Sequence, residues 1–100
     1  MGWADTHIAT LVSGKTVQFR PRGHSMTGKV DDGQLCTVEP IGESPISVDD
    51  IVLCRVTGRQ YLHLVKAIQG DRYQIGNAKG FVNGWVTRRQ IFGRLVRVDP

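Results

Sequence analysis

At 100 residues and a formal net charge of +4, the chain has room for one modest core and no second domain. Hydrophobic residues make up 40% and charged residues 22%, which excludes wholesale disorder, and no apolar run approaches the ~18 residues of a membrane-spanning helix. Twelve glycines and four prolines argue against a bundle of long helices, and the 13 Lys and Arg are scattered rather than gathered into a basic tract.

In chain order, Ala4, Ile8, Leu11 and Val12 recur at the spacing of one helix face, with Asp5 in the first turn and Gly14 as the stop. Thr16 to Arg20 then alternates as a strand until Pro21-Arg22-Gly23 breaks it. Leu35 to Glu39 is a short strand after the Asp31-Asp32-Gly33 turn, and Ile51 to Val56 has the nearly continuous apolar character of a central strand. Thr57-Gly58-Arg59 is a tight turn that folds Gln60 to Val65 back as a hairpin. Gly70-Asp71 turns the chain into Arg72 to Ile75, Asn77 to Gly84 carries three turn formers, and Ile91 to Val98 is the last strand.

The predicted fold is therefore mostly β: a compact, coiled antiparallel domain with one short N-terminal helix. Residues 1–15 form the helical segment and residues 16–98 the β core of a single domain. Cys36 and Cys54 lie in apolar, strand-like runs and are expected to be free, buried thiols. No CxxC or Cys/His cluster has zinc spacing, so neither a metal nor a cofactor is expected.

Two features carry chemistry. In Arg22-Gly23-His24-Ser25-Met26, Gly23 lets the backbone bend sharply, so that Ser25 projects from a loop. By itself this also describes an ordinary turn serine. His63 lies within the apolar strand Tyr61-Leu62-His63-Leu64-Val65 and shares a face with Tyr61 and Val65. It is either a satisfied core histidine or the general base that a serine hydroxyl needs to attack a carbonyl near neutral pH.

The order of these pieces is more specific than any one of them. Gly23 to Met26 reads Gly-X-Ser-Met. The Asp32-Gly33 turn and the strand to Val38 follow, then Asp49-Asp50-Ile51-Val52, the strand with His63, Gly70-Asp71, Ile75-Gly76-Asn77 and Ile91-Phe92-Gly93-Arg94. This order resembles the signal-peptidase and LexA-like superfamily of serine peptidases, from about Thr16 to Val98. The stretch Gly2 to Lys15 matches no motif of that family.

The resemblance implies a LexA/signal-peptidase type of fold, with Ser25 as nucleophile and the Ser25 backbone N–H as oxyanion donor. Bacterial members carry a lysine base where this chain has His63. The signal peptidases of the endoplasmic reticulum and of archaea are more similar there, because they use a histidine. That branch adds a late carboxylate to orient the imidazole; the matching stretch here leaves Asn77 or Asn83 for the task. Some members place an oxyanion-binding Ser two residues before the nucleophile, where this chain has Gly23, and Thr27-Gly28 stands in place of the usual Pro-Thr. Lys66 is the competing base, but three residues beyond His63 it points to the opposite face of a straight strand.

Two functions are expected from this reading. One is a small soluble serine peptidase that cleaves a peptide or protein substrate in trans through a Ser25–His63 dyad. The other is a catalytically inactive regulatory or protein-interaction module on the same fold, whose sheet edges suit peptide binding. The expected compartment is the cytoplasm, with no membrane anchor, and a homodimer stays open as the assembly. Nucleic acid is not expected as a partner, because only seven aromatic residues are available to interleave with the basic ones.

Overall fold

In the computed structural model, which describes residues 2–100, the apolar stripe of Ala4, Ile8 and Leu11 is buried and belongs to helix α1 (Asp5–Val12) and its N-cap. The start of α1 is held by a long-range amide. The Ala4 N–H donates to Gln60 Oε1 at 2.7 Å, and Gln60 Nε2 donates to Asp5 Oδ1 at 2.6 Å. A buried amide is tolerated only when its polar atoms are paired in this way. Gly14, at φ +93°, ends the helix in a conformation that disfavours any residue with a Cβ.

Seven strands follow: β1 (Val17–Phe19), β2 (Leu35–Pro40), β3 (Ile51–Val56), β4 (Arg59–Gln69), β5 (Arg72–Gly76), β6 (Val82–Thr87) and β7 (Ile91–Asp99). They form one antiparallel sheet in the order β1-β2-β7-β3-β4-β5-β6. The mostly β character with one short N-terminal helix is thus as expected. The β3–β4 turn places Thr57 at φ 46° and Gly58 at φ 83°, the two left-handed residues of a type I′ hairpin, whose twist matches that of the flanking strands.

Alternation along β3 divides the core. Leu53 joins Ile8, Leu11, Leu62 and Leu64 in one cluster, while Val52, Cys54 and Val56 join Val65, Ile75 and Val86 in another. Among the described residues, no helix is long and apolar enough to cross a membrane.

The structure differs from the sequence reading in the last third of the chain. A strand, β6, begins at Val82, inside the segment read as turn formers. Asn83 and Gly84 are poor strand residues, but pairing with β5 and the burial of Val86 opposite Tyr73 override local preference. Strand β4 also runs past Val65 to Gln69. Its register with β5 shifts between Val65 and Ala67, so Lys66 is the extra residue of a bulge.

Both cysteines are free and buried, and they sit in different core clusters, which separates them from each other. Burial pushes both thiols up, that of Cys54 to about 12. The thiolate is the reactive form, so the native protein is expected to take up iodoacetamide at Cys54 only on unfolding, with Cys36 reacting slowly before it. Rapid alkylation of Cys54 in the native state, mapped by mass spectrometry, would contradict its packing.

Candidate functional site

The loop after β1 is stapled at its base. The Gly23 N–H donates to Asp32 Oδ1 at 2.7 Å, the Gly33 N–H to Pro21 O at 3.0 Å and Arg20 Nη1 to Gly33 O at 2.8 Å. Gly23 takes φ +116°, a conformation that glycine adopts freely and that turns the chain sharply before Ser25. Met26 and Val30 are buried anchors on the first core cluster. Ser25, between the staple and these anchors, is left exposed. Its carbonyl accepts the Ala78 N–H at 3.0 Å, which ties the loop to the β5–β6 connection.

His63 is 7% exposed on β4. Its Nε2 lies 3.2 Å from Ser25 Oγ, and its Nδ1 lies 2.7 Å from Asn83 Oδ1. An amide oxygen can only accept, so Nδ1 carries the ring proton and Nε2 presents its lone pair to the serine hydroxyl. Burial lowers the His63 pKa below its ordinary value, and the hydrogen bond to Asn83 partly opposes this. The imidazole is therefore neutral at pH 7, the state in which it can accept a proton.

A second bulge aims Asn83. Gly76 pairs with Val82 and Ile75 with Gly84, which leaves Asn83 as the extra residue of β6. Such a bulge turns a side chain out of the regular alternation, here onto His63. Gly76 is needed beside it, because a Cβ there would lie 2.4 Å from Phe81 O, the carbonyl that accepts the Asn77 N–H.

Of the two amides expected to orient the imidazole, Asn83 is the one in contact. Asn77 is corrected: its Oδ1 accepts the backbone N–H groups of Lys79 and Phe81 at 2.9 Å each, so it shapes its own loop. Lys66, the competing base of the sequence reading, makes no hydrogen bond to the Ser25 hydroxyl. It occupies the β4 bulge, and its stem lies across Gly76, while the Ser25 hydroxyl meets His63. Among the described residues, no backbone or side-chain acceptor engages the Ser25 N–H, whereas the Gly23 N–H is committed to Asp32.

The sequence reading missed one wall of the site. Ser25 and His63 open on a cleft of about 480 Å³ that is also lined by Trp3, His7 and Phe19. The signal was present: Trp3 and His7 lie one helical turn apart at the head of α1. Among the described residues, no three His, Cys, Asp or Glu side chains gather as a cation site.

No protein-family model matches the chain, and no curated protein matches it significantly.

Proposed function

We propose that the protein is a serine peptidase of the signal-peptidase and LexA-like type, with Ser25 as nucleophile, His63 as general base and Asn83 as the residue that positions the base. The observation that carries this reading is the continuous chain of contacts from Ser25 Oγ to His63 Nε2 and from His63 Nδ1 to Asn83 Oδ1, at 3.2 and 2.7 Å. The order of Gly-X-Ser-Met, the base strand and the final Ile-Phe-Gly-Arg strand along the chain supports the family.

In this mechanism Ser25 Oγ bonds to the carbonyl carbon of the scissile peptide, and its proton passes to His63 Nε2. The Ser25 N–H donates to the oxyanion so formed. When the C–N bond breaks, the imidazolium returns the proton to the leaving amine. Water then attacks the acyl ester with His63 again as base, which frees Ser25. Asn83 keeps the productive tautomer but adds no negative charge, so the imidazolium is less stabilised than beside a carboxylate.

The direct test is a fluorophosphonate probe. The wild-type protein is expected to take up one equivalent, mapped to Ser25 by peptide mass spectrometry. An inert protein would favour the second reading, an interaction module on the same fold, which the missing hydroxyl at Gly23 and the missing carboxylate beside His63 otherwise recommend.

The labelling rate reports the base. It is expected to rise with pH through a midpoint below the ordinary histidine value of 6.5, because His63 must be neutral and burial holds its pKa down. In Asn83→Asp a carboxylate replaces the amide and favours the imidazolium. The acid limb should then move to higher pH. A limb that stays in place or moves to lower pH would separate Asn83 from the base.

A further inference from the structure

Trp3 is 53% exposed, yet its indole N–H donates to Gln60 O at 3.0 Å, which fixes the ring in place. His7 stacks on Phe19 with ring centres 4.5 Å apart, and Trp3 meets the same Phe19 edge-on at 5.6 Å. These rings wall the cleft that Ser25 and His63 open on, and buried Met26 also lines it. Of the charged groups at its edge, the Arg20 guanidinium donates to Gly33 O and Asp31 Oδ1 accepts the Gly28 N–H, while the exposed Arg22 lies on the rim.

A fixed, exposed indole presents apolar surface that water hydrates poorly, and a guest side chain that covers it releases that water. The methyl group of alanine leaves most of a cleft of about 480 Å³ empty and makes few contacts with its walls. An aromatic or long aliphatic side chain reaches the rings. Resting on the peptidase reading, we infer that the cleft selects a bulky apolar side chain, aromatic above all, beside the bond that Ser25 attacks.

The test is a peptide library varied on both sides of the scissile bond. At one flanking position, Phe, Tyr, Leu or Met is expected to raise kcat/KM at least about tenfold over Ala or Gly. Trp3→Ala should narrow that ratio about threefold or more. A preference for Ala or Gly at both flanks overturns the inference and leaves the peptidase reading standing.

A second measurement does not depend on catalysis. In Ser25→Ala combined with Trp85→Phe, Trp3 is the only tryptophan, and its fluorescence is titrated with acetylated, amidated tetrapeptides containing Phe or Ala. The Phe peptides are expected to shift the emission at lower concentration than the Ala peptides. That result, together with a wild-type protein that cleaves no member of the library, would sink the catalytic reading while supporting the cleft assignment. Equal binding of the two peptide sets, or binding of neither, overturns the assignment.

Discussion

His63→Ala is expected to slow acylation of Ser25 by about 10²–10⁴-fold, the usual worth of a positioned general base. The serine hydroxyl keeps its place on the Met26 and Val30 anchors but loses the acceptor 3.2 Å away. Ser25→Ala should remove covalent labelling altogether, because the atom that forms the bond is gone. In the proposed mechanism nucleophile and base act as one unit, so in peptide hydrolysis the double variant should be no slower than the worse single variant. Each variant needs a circular dichroism spectrum like that of the wild type. Asn83 is only half-buried, so water can replace the imidazole at its amide oxygen. Full labelling of His63→Ala at the wild-type rate would show that Ser25 is activated by another group or by none.

Leu53→Ala should be the most destabilising truncation in the first core cluster. Leu53 is fully buried on β3, which is paired on both sides by β4 and β7. Its side chain belongs to the cluster that α1 covers through Ile8 and Leu11. Truncation removes the transfer energy of the lost carbons and leaves a cavity that a central strand cannot collapse around, at a cost of about 2–5 kcal/mol. Domains of this size are stable by only about 5–15 kcal/mol, so this is a large share. The melting temperature should fall by about 10–30 °C. Urea unfolding should show a lower midpoint at an unchanged slope, which assigns the loss to the native state. A loss under about 1 kcal/mol would mean that the site relaxes around the missing side chain.

The architecture was legible wherever local chemistry and tertiary packing agree. Ala4, Ile8 and Leu11 share a helix face, and burial of that face is what stabilises α1. Thr57-Gly58 marks a hairpin through Gly58, which takes a positive φ freely, whereas the β-branched Thr57 is held at φ 46° by the pairing of β3 with β4. Strand β6 was hidden because its first three residues, Val82-Asn83-Gly84, include two turn formers, and only pairing with β5 makes them extended. Trp85-Val86-Thr87 are residue types that favour strands, with Val86 buried, but three residues are too short a run and the sequence reading named no strand there.

Within the site, the sequence by itself determined which residue types were available: a serine after a bending glycine, a histidine in an apolar strand, and two late asparagines. Gly23 and Ser25 are neighbours in the chain, so their relation is local and readable. The choice between Asn77 and Asn83 was not, because both are six or fewer residues from a turn glycine and equal in chemistry. Tertiary structure decided it through the bulge that aims Asn83 at the imidazole, while the loop backbone occupies the Asn77 amide oxygen. The same holds for Lys66, which a bulge in β4 carries over Gly76. The aromatic wall of Trp3, His7 and Phe19 needed the Gln60 contacts, made 55 to 57 residues along the chain, to hold the head of α1 over the cleft. Contacts at that separation follow from the order in which the strands pair in the sheet, which no local pattern of residues encodes.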